Sequence, residues 1–205
     1  MKPGDTVWLW QLAFAGDDAA LAAQLRDAGP LLGVWRALEG DEVRVQAARA
    51  APEAAAGDWT SAVENTALRC TVQRSGASAG ADAPWHYVVE TDVLTEQEDD
   101  FNAWYEQEHL PGLAAVPGSV AAARFVRVAG SGPRYVASYD LASLDTYGSA
   151  AWLAVRATPW SSRVRPAFRN TRRTMYRRAL HALHVLHVLH KDTRLPGPSQ
   201  PYPLP

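Results

Sequence analysis

Three groups of residues in this sequence have the types and spacing to do chemistry. The first is Glu108-His109, closing a run in which Phe101, Trp104, Tyr105, Glu108 and His109 recur three and four apart. That spacing places all five on one helix face. Imidazole titrates near neutral pH, so His109 is a candidate general acid or base. Glu108 is a candidate to orient it or to act electrostatically, although adjacent helical residues point about 100° apart and do not pair directly. The competing reading makes His109 a helix-end residue that bonds the last carbonyls and meets the helix dipole. An aromatic stripe of Phe101, Trp104 and Tyr105 is more often core than cofactor box. Asn102 falls off that face and reads as solvated.

The second group lies on strands. Tyr135 and Tyr139 alternate on one face, and Arg124 opposes Arg127 across its own strand. A buried arginine without a carboxylate is expensive, so whichever of the two points inward is a candidate to bind an anionic substrate group. Arg124 is assigned that role, as an anion or enolate stabiliser. Trp104, Tyr105 and Tyr139 are assigned to shape the site. His86, opposite in facing to Trp85 and Tyr87, is either a cavity base or a plain edge histidine. Trp8 and Trp10 share one strand face and stand or fall together as cavity walls.

The third group is His181, His184, His187 and His190. On a helix, a spacing of three drifts by about 60° per step. Pairs of these rings could grip a metal ion; the alternative is an apolar segment packed through Leu183, Leu186 and Leu189. No metal site is assigned. The glycine loop of nucleotide sites, the G-x-S-x-G elbow and H-E-x-x-H are all missing, which disfavours nucleotide cofactors and serine-type hydrolysis.

The whole chain bounds these readings. It has 205 residues, 47% hydrophobic and 20% charged, with formal net charge −2. That fits a soluble globular protein, and a cytoplasmic location is expected. The net charge argues against a nucleic-acid partner. One cysteine, Cys70, excludes a disulfide framework and a cysteine-rich zinc site. No apolar run approaches the roughly 18 residues of a membrane span, and the start does not read as a signal peptide. Eight tryptophans demand either bulky cores or an aromatic-lined cavity.

The elements that must position these residues follow from pattern. In the second half, a strand over 85–93 precedes Thr95-Glu96-Gln97-Glu98, which has capping-box spacing and opens a helix that Pro111-Gly112 closes. Val116-Pro117-Gly118 reads as a turn. Strands follow over 120–128 and 134–141, then a helix over 145–157 and a strand over 174–179. The first half repeats β-α-β-β-α-β less clearly: strand 7–14, helix 17–28, hairpin 32–38 and 43–48, helix 58–68 and strand 69–74. The domains expected are a degenerate N-terminal repeat (1–74), a small-residue linker (75–84), a C-terminal repeat (85–180), and a His- and Pro-rich tail (181–205). Each repeat leaves one sheet face bare, so the fold expected is α+β: two ferredoxin-like repeats packed sheet to sheet as an α+β barrel, with a ligand cavity between the sheets.

The pattern W-Y-x-x-E-H-L-P at Trp104–Pro111, then Val116-Pro117-Gly118, Arg124-Phe125, Pro133-Arg134-Tyr135-Val136-Ala137-Ser138-Tyr139-Asp140-Leu141 and Thr158-Pro159-Trp160-Ser161-Ser162-Arg163, resembles the EthD-like group of the dimeric α+β barrel superfamily. The resemblance covers roughly residues 85 to 180. It implies relatives that include cofactor-free monooxygenases, isomerases, cyclases, dehydratases and haem-binding enzymes. The expected function is therefore a cofactor-independent enzyme acting by proton transfer (cyclisation, isomerisation, dehydration or oxidation) on a small apolar or aromatic, polyketide-like molecule. The alternatives are a non-catalytic small-ligand or accessory protein and a haem-binding barrel. A small-molecule ligand, no membrane partner and a possible homodimer complete the expectations.

Overall fold

The computed structural model describes residues 1–26, 28–48 and 64–180. The His181, His184, His187 and His190 run, the Pro-rich end and residues 58–63 of the expected helix lie outside them.

Eight antiparallel strands close into one barrel in the order β1-β3-β2-β8-β5-β7-β6-β4. The first half supplies β1 (Thr6–Ala13), β2 (Leu31–Ala37), β3 (Glu42–Ala47) and β4 (Glu64–Ser75); the second supplies β5 (Trp85–Val93), β6 (Ser119–Ala129), β7 (Tyr135–Leu141) and β8 (Phe168–Leu180). Each half has the same internal order, β4-β1-β3-β2 and β8-β5-β7-β6, and the halves join where β2 meets β8 and β6 meets β4. The fold is therefore a ferredoxin-like α+β barrel built from two repeats within one chain. Closure leaves no sheet edge open.

The helices cover the barrel's outside. In the first half α1 (Asp18–Gln24) is capped by Asp17, whose side chain accepts from the Ala20 amide. In the second half α2 (Glu98–Trp104) runs into a π-helical turn over Tyr105–His109 and then α3 (Leu110–Ala114). Two expectations change here. Thr95 does not cap α2; it starts a short 3-10 turn whose flanking residue makes no side-chain cap. Pro111 does not end the helix but sits at the start of α3, where its missing N–H costs least. The π turn absorbs the register change.

The expected 145–157 helix begins as a 3-10 turn (Leu144–Thr146) and becomes α4 (Ala150–Arg156) only after the Ser149 cap; a separate helix not expected from sequence, α5 (Pro159–Val164), follows, capped by Thr158. The expected helix over 58–68 is wrong from residue 64 onward, because β4 begins there. Leu68 and Cys70 point into the barrel; a register shift between Cys70 and Val72 turns Val72 to the helix side. The 75–84 segment is tied down by bonds such as Ala77 N–H to Ala114 O and Ser78 N–H to Ser119 O.

Three apolar clusters result. One lies between α1 and its sheet and contains Trp10, Leu21 and Leu25; Trp8 packs against it. One fills the barrel with Val7, Leu9, Trp35, Leu68, Val88, Phe125, Val136 and Tyr176. The third lies between the C-terminal helices and their sheet. The space between the sheets, where the sequence places a ligand cavity, is taken up among the described residues by the side chains of the second cluster.

Candidate functional site

The recess of interest lies on the helix-covered outer face of the second half. Its walls are Tyr87, Val89 and Tyr139 from the sheet, Trp104, Tyr105, His109 and Leu113 from the α2–α3 segment, and Trp152 from α4; Phe168, Arg156, Arg165 and Arg173 complete the lining. Its cavity volume is small, about 30 Å³, and it opens to solvent on one side. One or two waters fit as it stands. A ring-sized ligand requires side chains to move.

The backbone explains why these groups converge. On β5 and β7 the odd-numbered residues face the helices, so Tyr87, Val89 and Tyr139 project together beneath the α2–α3 segment. Tyr87 pairs with Tyr139 across the strands. Above them His109 stacks on Trp104, with ring centres 4.0 Å apart, and meets the Tyr105 ring edge-on. The Trp104 indole N–H donates to Ser161 Oγ, and Trp160 and Arg163 both bind Asp100. The T-P-W-S-S-R stretch therefore holds α5 against α2.

The polar atoms of this site are short of partners. His109 Nδ1, the Tyr139 hydroxyl and Trp152 Nε1 are buried without a hydrogen bond. A buried polar group costs free energy unless it is bonded. Burial pushes the His109 imidazole down to about 3, and the nearby charges of Arg156 and Arg165 add to this. The ring is neutral at physiological pH. Burial likewise pushes the Tyr105 hydroxyl up to about 12 and the Tyr139 hydroxyl well above its ordinary value, so both are phenols here.

The structure brings together four of the residues singled out from sequence: Trp104, Tyr105, His109 and Tyr139. The others sit elsewhere. Glu108 does not line the recess; it accepts a hydrogen bond from Thr158 Oγ1 at 2.6 Å and so ties the π turn to the α5 cap. Arg124 is buried on the helix side but is enclosed by Phe101, Tyr105 and Tyr135, with its guanidinium 4.6–4.9 Å from their ring centres. It donates to Asn102 Oδ1 at 2.6 Å, so Asn102 is a partner of Arg124 and not a solvated surface residue. His86 faces the barrel interior, stacked on Trp35 with Nδ1 2.7 Å from Asp140 Oδ1. Trp8 and Trp10 share a face as expected, but it is the face covered by α1, far in the chain order of the barrel from the recess strands.

Sequence reasoning missed Tyr87, Trp152 and Arg156 of the lining. It also missed the charged group inside the barrel, where Glu90 lies within 3.1 Å of Arg44, 3.0 Å of Arg172 and 3.6 Å of Arg127. Arg124 and Arg127 are both buried, on opposite faces, so the question of which one points inward has two answers. Among the described residues no group of three His, Cys, Asp or Glu side chains is placed to hold a metal ion, and no helix is long and apolar enough to cross a membrane.

No protein-family model matches the chain, and no curated protein sequence does. Solved structures do match. A candidate monooxygenase of Fusobacterium nucleatum superimposes with a TM-score of 0.63 at 8% identity, over 88% of this chain and 94% of that one. An anthrone oxidase-like protein gives 0.54 at 16% identity, over 86% and 91%. A heme-degrading enzyme of Listeria monocytogenes gives 0.51 at 10% identity, over 84% and 98%. At these identities the likeness is one of fold.

Proposed function

We propose that the recess of the second half is the working site, and that the chain binds a small aromatic or enolisable molecule there and moves a proton to or from it. The observation that carries this reading is that three residues each holding a buried polar atom without a hydrogen bond, His109 (Nδ1), Tyr139 (OH) and Trp152 (Nε1), line one aromatic-walled recess. Unsatisfied buried groups call for a reason, and a ligand that bonds them supplies one. The names of the structural neighbours, a candidate monooxygenase and an anthrone oxidase-like protein, are compatible with it. The finer EthD-like assignment rests on the motif residues of 101–163 alone.

The chemistry follows from what each group can do. Neutral His109 can accept a proton from an acidic C–H or O–H, provided the tautomer leaves Nδ1 free. A base held near 3 is weak in the empty site. Proton transfer, however, leaves an anion beside the new imidazolium, and that pairing offsets the burial cost that depresses the imidazole. The Trp152 N–H and Tyr139 O–H can donate to the oxygen on which negative charge develops. The resulting enolate can be reprotonated elsewhere, lose a leaving group, close a ring or react with dioxygen.

Anthrone is a suitable probe, because loss of its C10 proton gives an aromatic phenolate-like anion. Tyr139→Phe keeps the ring and removes only the unbonded hydroxyl. It is expected to lower kcat/KM for aerobic anthrone consumption about 100-fold, while thermal unfolding stays at or above wild type. Turnover by this variant at the wild-type rate would overturn the role given to Tyr139.

A further inference from the structure

The lining of the recess mouth points to the charge of its ligand. Arg156, Arg165 and Arg173 come from α4, the turn after α5 and β8, and all three line the same recess. Among the described residues no carboxylate lies within ion-pair distance of any of them. Arg165 Nη1 reaches only the carbonyl of Arg156, at 2.8 Å. Neighbouring arginines behave differently. Arg163 sits on Asp100, Arg172 on Glu42 and Glu90, Arg177 on Asp18, and Arg178 on Asp82. Burial and the charges of Arg156 and Arg173 hold the Arg165 guanidinium below its ordinary value. Three like charges grouped without a counterion are destabilising unless something anionic joins them. Guanidinium is also the group best suited to a carboxylate, which it can grip through two parallel N–H bonds.

A second, independent feature lies deeper. The unbonded groups of His109, Tyr139 and Trp152 are spread along the walls of that recess, each on a residue less than a tenth exposed. They suit a neutral, oxygen-bearing ring rather than a second charge. Polarity is thus graded from a cationic mouth to a phenol- and indole-lined interior.

We propose that the recess takes its ligand as an aromatic carboxylate, with the ring inside and the carboxylate bound by Arg156, Arg165 and Arg173 at the mouth. This rests on the recess being the working site. Long arginine side chains at the mouth, two of them exposed, are also the parts able to swing aside and admit a ring larger than the present free space.

The test is binding of benzoate against benzamide, its neutral near-isostere, to the full chain, followed by calorimetry at one fixed ionic strength. Wild type is expected to bind benzoate at least about tenfold more tightly. Arg156→Gln/Arg173→Gln should bring benzoate down to the affinity of benzamide and leave benzamide unchanged. The charge-matched control Lys2→Gln/Arg74→Gln, at exposed positions outside the recess, should keep the preference. Equal binding of the two compounds by wild type, or a preference that survives in Arg156→Gln/Arg173→Gln, would overturn the carboxylate proposal. If benzamide binds and Trp152→Phe weakens it while benzoate gains nothing, the recess remains the site and only the charge inference falls. If neither compound binds wild type at millimolar concentration, both fall.

Discussion

Glu90→Gln is expected to cost about 3–5 kcal/mol of folding stability, the largest loss from a single conservative replacement in this chain. Glu90 projects into the barrel, its side chain only 5% exposed, with the side chain of Arg44 at 3% and that of Arg127 at 7% beside it. Arg172 completes the group from the rim, and Glu42 holds Arg172 and the Tyr176 hydroxyl in turn. Burial alone would raise the Glu90 carboxyl; Arg44, Arg172 and Arg127 outweigh it and hold the group below its ordinary value. Glutamine keeps the shape and removes the charge that three guanidiniums share. Arg44 then has no anion, and its buried Nε already lacks a hydrogen bond. Denaturant unfolding of Glu90→Gln, Arg44→Met and the double variant measures this. The double variant should lose less than the sum of the two single variants, because Arg44 no longer needs the anion, while Arg127 and Arg172 still lack theirs. A Glu90→Gln protein within about 1 kcal/mol of wild type would remove the ion cluster from the stabilising features of the barrel.

The second large effect is a dependence of stability on pH that belongs to His109. Its imidazole is held down to about 3 in the folded chain, from an ordinary 6.5, by burial and then by Arg156 and Arg165. Between these values the unfolded chain binds a proton that the folded chain refuses. Stability is therefore complete above about pH 6.5 and falls as pH is lowered, by about 1.4 kcal/mol per unit, levelling off near pH 3. About 2 kcal/mol should be gone at pH 5. The depressed carboxylates Asp18 and Glu90 work in the same direction, but their stabilisation is lost only below the ordinary carboxylate range, so the window from 6.5 to 5 isolates the histidine. In His109→Gln the unfolding free energy should be flat across that window. An equal slope in wild type and variant would mean that His109 is not buried as a neutral ring.

How far these features could be read from sequence varied with the kind of signal. Strand β5 was legible to the residue, because Trp85 to Val93 is rich in aromatic and β-branched residues. The helical face through Trp104, Tyr105 and His109 was legible because three-and-four spacing survives a π turn over a few residues. The 64–68 stretch was not. The alanine-rich run before it carries a helical pattern into residues whose own alternation, Leu68 and Cys70 on one side, belongs to a strand. Pattern also gave no sign of which sheet face holds open space. Tyr139 was placed in the site on the expectation of an inter-sheet cavity; it lines the recess on the opposite, helix-covered face. Trp8 and Trp10 face their own helix in the same way, but there the cluster of Leu21 and Leu25 fills the position. Arg127 and Glu90 meet across non-adjacent strands, and Arg156, Arg165 and Arg173 converge from three separate elements. Such meetings depend on closure of the barrel, which local periodicity does not encode.

The central reading, that His109 moves a proton in this recess, is tested most directly by hydrogen–deuterium exchange at C10 of anthrone, followed by proton NMR without oxygen. That measurement sees proton transfer alone. Wild type is expected to accelerate exchange at least about 100-fold over buffer, and His109→Gln to bring it back to within about tenfold of the buffer rate. Exchange by His109→Gln at the wild-type rate would contradict the assignment of His109 as the proton acceptor.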